Sequence, residues 1–271
     1  EYVDSETLWT KTIMRNHGSW MAYQNLGGIE LGKGRTADAI ADFSKAVALR
    51  PGSHEPLNEL GVAQMQAGQL GQAEATLREA LLADPKSTET HLNLGVVLLE
   101  NGKPDEAAYH LKGVLEVEPA NAKAMKNLAG AIFQQGHPQD AEALYATALE
   151  LDPGDAQAHS DFGAVLATDG RVDDAIAEYR RALAINPRLV VALQNLGGAL
   201  LRERRFDLAT EAFGSAVALE PNSAPLCNDL GIALANAGHV DGAAAAFSRA
   251  LEIDPTYDQA RRNLAAVTSR R

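Results

Sequence analysis

The sequence predicts an all-α fold, a solenoid of antiparallel helix pairs. Three observations carry this. Pro51, Pro85, Pro119, Pro153, Pro187, Pro221 and Pro255 recur every 34 residues, and a fixed period of that size marks a repeat architecture. Small and bulky residues recur at the same places within the period. Within each half-period apolar residues return at helical spacing, so each repeat reads as two amphipathic helices.

Taken in order, residues 4–16 read as a second helix lacking its first, within an N-terminal half-repeat over 1–19, with Trp9 at a core position. Seven full repeats follow at 20–53, 54–87, 88–121, 122–155, 156–189, 190–223 and 224–257. Numbering each repeat from 1 to 34, position 7 is Leu26, Leu60, Leu94, Leu128, Phe162, Leu196 and Leu230. Position 8 is Gly27, Gly61, Gly95, Ala129, Gly163, Gly197 and Gly231, and position 20 is always alanine, which lets two helices approach closely. Position 24 is bulky (Phe43, Leu77, Leu111, Tyr145, Tyr179, Phe213, Phe247) and fills the adjoining space. Glycine at position 15 suits the left-handed conformation that ends a first helix, and proline at position 32 stops the second. Repeat 6 has Arg204 where that glycine is expected, which predicts local strain without a broken repeat. Residues 258–271 read as a capping first helix, with Arg261, Arg262, Arg270 and Arg271 as its polar outer face.

This pattern resembles the tetratricopeptide repeat family over residues 20–257. The resemblance implies a right-handed superhelix of antiparallel helix pairs, with the first helix of each pair lining a concave groove.

Composition narrows the function. Aromatic residues are only 5% and alanine is abundant, as close-packed helices require. A net charge of -12 argues against a nucleic-acid partner and against docking on an anionic membrane. The single cysteine, Cys227, excludes an intrachain disulfide and reads as a small buried hydrophobe. No apolar run is long enough to span a bilayer. The histidines never pair at helical spacing, His91 and His159 sit at packing position 4, and no phosphate-binding or nucleophile motif is present. The chain therefore reads as a non-enzyme without cofactor or metal, binding a protein or peptide.

Positions 2, 6, 9 and 13 form one stripe of the first helix, away from its packing face. Position 6 is Asn25, Glu59, Asn93, Asn127, Asp161, Asn195 and Asp229, then Asn263 in the capping helix. Asparagine offers both a donor and an acceptor, so this row is suited to pair with the backbone of an extended polypeptide. It is similar to the asparagine ladder of O-linked N-acetylglucosamine transferases, which implies backbone reading of protein substrates. Position 9 is small or aliphatic and leaves room for a guest. Lys123 and Lys126 add a basic spot beside Asn127. Chaperone-binding relatives hold a C-terminal carboxylate with a set that would fall on Lys126, Gly130, Asp161, Val191 and Asn195, and only Lys126 matches.

Two further expectations follow. The stretch from Tyr2 to Gly28 resembles the junction in polytopic membrane proteins that carry a tetratricopeptide tail outside the cytoplasm. That would make the chain a substrate-recruiting part of a larger, glycosyltransferase-type protein; residue 1 is Glu rather than Met, and the chain is expected to be processed or cut from something longer. The arginine-rich end, Arg261 to Arg271, set against Glu55, Glu59, Glu89 and Glu100, would support self-association.

Overall fold

A computed structural model describes residues 4–269, and all regular structure among them is helical. Helix α1 spans Ser5–Arg15. The first helices of the pairs are α2 (Trp20–Gly32), α4 (His54–Gln66), α6 (Thr88–Glu100), α8 (Ala122–Gln134), α10 (Ala156–Thr168), α12 (Val190–Arg202) and α14 (Ala224–Asn236), followed by α16 (Asp258–Thr268). Their partners are α3 (Thr36–Leu49), α5 (Leu70–Ala83), α7 (Pro104–Val117), α9 (Pro138–Leu151), α11 (Val172–Ile185), α13 (Phe206–Leu219) and α15 (Val240–Ile253). Arg270, Arg271 and Tyr2 lie outside the described residues.

Local chemistry sets the helix ends. Ser87, Asn121, Asp155 and Ser223 cap α6, α8, α10 and α14, each side chain accepting from the backbone N–H three residues on. Leu189 holds the same place before α12 and has no side chain able to cap. The turns between paired helices need a left-handed residue, supplied by Gly34, Gly68, Gly102, Gly136, Gly170 and Gly238. Arg204 adopts the same conformation, with φ 58°, as the expected site of strain. Each second helix ends two residues before a period proline.

The helix pairs close on one recurring contact. A Cβ built on Gly27 would lie 2.9 Å from the ring of Phe43, and the same construction gives 2.6 Å for Gly61–Leu77 and 2.7 Å for Gly95–Leu111. The distances are 2.6 Å for Gly163–Tyr179, 2.7 Å for Gly197–Phe213 and 2.5 Å for Gly231–Phe247. Normal carbon contacts are about 3.5–4.0 Å, so a larger residue at any of these glycines must displace the facing side chain. The alanines at position 20, from Ala39 to Ala243, are fully buried beside these contacts, and Cys227 is buried as expected.

The chain divides into two compact units, Glu1–Gly136 and His137–Arg271. In the first, α1–α8 stack so that α2, α4, α6 and α8 touch in succession. In the second, α10, α12, α14 and α16 do the same. Ion pairs link successive repeats at Glu6–Arg35 (2.6 Å), Glu74–Lys103 (2.8 Å) and Glu142–Arg171 (2.6 Å). Exposed pairs of this kind contribute about 0–1 kcal/mol each, so the buried contacts dominate the stacking. No helix among the described residues is long and apolar enough to cross a membrane.

Candidate functional site

The residues at position 6 emerge on the first helices, where helical periodicity puts them, and tertiary structure divides them into distinct states. Asn25 Nδ2 donates to Met21 O at 2.7 Å, and Asn127 Nδ2 to Lys123 O at 2.9 Å, each within its own helix. Asn93 Nδ2 donates to Asn58 Oδ1 at 3.0 Å, and Asn263 Nδ2 to Asn228 Oδ1 at 2.9 Å. Gln24 Nε2 reaches Glu59 at 3.5 Å and Gln194 Nε2 reaches Asp229 at 3.2 Å. Asp161 accepts from Gln157 Nε2 at 2.8 Å. Four asparagines thus each spend an amide N–H on a partner within the chain.

The bridging partners, Gln24, Asn58, Gln194 and Asn228, all occupy position 5 of the preceding repeat. Sequence reasoning passed over them, although four amides at one register position were visible. At the junction of α10 and α12 the position 5 residue is Ser160, whose buried Oγ has no hydrogen-bond partner. Its side chain is too short to repeat the bridge, and the Asn195 side chain makes no hydrogen bond among the described residues.

Burial tunes the acids in the row. It raises the Glu59 carboxyl, with the nearby Glu89 charge adding to the shift and the Gln24 hydrogen bond opposing it. Burial likewise raises Asp229 against hydrogen bonds from Gln194 and Asn228. Lys123 is exposed and Lys126 half-buried ahead of Asn127 on α8.

Two clefts open on this face of the second unit. One, of about 300 Å³, is lined by Asn195, Gly198 and Arg202 of α12, Tyr179, Phe213 and Asp229. The other, of about 160 Å³, lies between α14 and α16 around Ile232, Phe247 and Asn263. The glycine pairs separate here. Gly27 and Gly197 are packed against Phe43 and Phe213, whereas a Cβ on Gly28 or Gly198 would meet nothing within 4 Å.

Folding also joins histidines that lie on different helices. His91 Nδ1 is 2.8 Å from His110 Nδ1, with His91 Nε2 3.1 Å from Pro85 O. Since a carbonyl only accepts, His91 donates from Nε2 and accepts at Nδ1 from His110. Burial, reinforced by His91, pushes the His110 pKa down from 6.5 to about 4. In repeat 5 the corresponding partner of His159 is Glu178, 2.6 Å away, and both are buried. Among the described residues no three metal-ligating side chains cluster.

Stacked helix pairs with a polar stripe on the first helices define a repeat scaffold for protein interaction. The chain belongs to the tetratricopeptide repeat family, whose model matches residues 30–93, 98–161 and 200–267. Its fold is similar to the Cut9–Hcn1 hetero-tetramer of APC/C (16% identity, TM-score 0.76, covering 98% of this chain and 52% of that one). It is also similar to pilF of Pseudomonas aeruginosa (20%, 0.66, 79% and 97%). A third likeness is to YrrB, described as a TPR protein with an unusual peptide-binding site (23%, 0.52, 68% and 95%). At these identities the likeness is one of fold, and the chain spans about half the length of the Cut9–Hcn1 chain. No curated protein matches the sequence.

Proposed function

We propose that the chain is a non-catalytic scaffold that holds an extended polypeptide against its first helices, with the position 6 side chains reading the guest's backbone. One observation carries the reading. Asn25, Asn93, Asn127 and Asn263 each spend an amide N–H within the chain, so with the carboxylates of Glu59, Asp161 and Asp229 these positions are richer in acceptors than in donors. Backbone N–H groups are the donors every polypeptide shares, so such a row binds with little demand on guest sequence. The ladder of O-linked N-acetylglucosamine transferases is the nearest functional analogy.

The same chemistry suits a substrate-recruiting domain of a larger protein, because tolerance of guest sequence is what recruitment of varied substrates needs. Binding of a random pool of twelve-residue peptides tests the scaffold reading. The triple variant Asn25→Ala, Asn127→Ala, Asn195→Ala removes ladder groups that bond to no other side chain. Each lost hydrogen bond is expected to cost about 0.5–1.5 kcal/mol, and N-methylated peptides are expected to bind the native chain poorly. Undiminished affinity in both experiments would sink the reading.

A further inference from the structure

We propose that the cleft on α12 is a subsite for an acidic side chain, aspartate or glutamate, within the extended polypeptide; the inference rests on the scaffold reading above. Asn195, Gly198 and Arg202 lie at i, i+3 and i+7, one stripe of the helix. All three line the same cleft of about 300 Å³. Helical side chains lean toward the N-terminus, which is the direction from Arg202 toward Gly198 and Asn195.

Three features mark the cleft as built for an anion on a polypeptide. Arg202 is exposed, and among the described residues its side chain makes no ion pair or hydrogen bond, although Asp229 lines the same cleft. Asp229 is engaged instead by Gln194 at 3.2 Å, which leaves the guanidinium for a guest. The side-chain amide of Asn195 is a second donor without a partner among the described residues, and Ser160 stands there in place of the bridging amide found at four other junctions. Between the two donors, Gly198 leaves bare backbone with open space above it. A glycine inside a helix weakens it relative to alanine, and no packing contact requires this one. Clearance for a close-lying guest accounts for it. The guest carboxylate would accept from Arg202 and Asn195, while a guest backbone N–H donates to Asp229. Charge-assisted hydrogen bonds of this kind are stronger than neutral ones.

The test uses the full chain and pools of N-acetylated, C-amidated twelve-residue peptides, uncharged except at a central Glu, Gln or Lys. Fluorescence anisotropy at low salt is expected to show the Glu pool bound about tenfold tighter than the Gln pool, and the Lys pool weakest. Arg202→Gln, at an exposed position, is expected to erase the Glu preference over Gln. Gly198→Leu, whose side chain enters open space, is expected to weaken all three pools. Equal binding of Glu and Gln pools by the native chain would overturn the inference, as would a Glu preference that survives Arg202→Gln. A preference that appears only with a free C-terminal carboxylate would overturn it in favour of end capture. Failure of every pool to bind would instead refute the scaffold reading itself.

Discussion

Gly197 and Gly198 are adjacent in α12, and the same substitution to alanine is expected to act on them in opposite directions. Both changes gain helix propensity, about 1 kcal/mol in a helix interior. They differ in what the new methyl meets. At Gly197 the Cβ would lie 2.7 Å from Cε2 and Cζ of Phe213 and 2.9 Å from Cδ2. Phe213 is 2% exposed and packed among Leu196, Ala209, Ala212 and Ala233, so the ring must shift against its neighbours to admit the methyl. Overpacking of this kind costs about 1–3 kcal/mol. Repeat 4 carries Ala129 at the equivalent place, so the fold tolerates a methyl where its surroundings suit one. At Gly198 the Cβ meets nothing, and the propensity gain stands alone. The difference between the two variants cancels propensity and reads packing: Gly198→Ala is expected to be the more stable by about 1–3 kcal/mol. Urea midpoints by far-UV circular dichroism give the comparison. Repeat arrays need not unfold as one unit, so amide hydrogen exchange of α12 and α13 supplies the local value. Two variants within about 0.5 kcal/mol, or a reversed order, would refute the packing argument, since distant surface changes fall in that range.

Three further outcomes are expected. Arg204→Gly relieves a left-handed residue that costs about 1–2 kcal/mol, offset in part by glycine's freedom in the unfolded chain. A net gain of about 0.5–1 kcal/mol should appear in urea unfolding, and a loss would show that the Arg204 side chain is stabilising. Ser160→Ala removes a buried hydroxyl without a partner and should stabilise the second unit by about 0.5–1 kcal/mol in the same assay. His110 has a folded pKa depressed from 6.5 to about 4, so the unfolded chain binds its proton first as pH falls. Its stabilising effect is complete above about pH 6.5 and declines toward pH 4. His110→Gln should flatten that part of the stability profile, and an unchanged slope would place the titration elsewhere.

Much of the architecture was legible because it is local and periodic. The 34-residue proline spacing, the glycine–bulky contact and the left-handed turn at Arg204 each follow from one residue type in one register position. Reading Cys227 as buried and Gly197 as a packing residue needed only helical periodicity. The candidate site was legible to the level of a stripe: Asn25, Asn93, Asn127, Asp161, Asn195, Asp229 and Asn263 do lie on the first helices.

What that stripe offers a guest was decided by distances between helices, and no period encodes those. Gly197 and Gly198 are the same letter, yet one faces Phe213 and the other open space. Asn93 and Asn195 share a register position, yet Asn58 reaches the first and Ser160 cannot reach the second. His91 and His110 meet across a helix pair, 19 residues apart in the chain. Helical geometry assigns a side chain to a face, and the sequence alone determined those faces. Whether two faces exchange a hydrogen bond depends on side-chain length against the gap between backbones, and only the folded stack determined that gap.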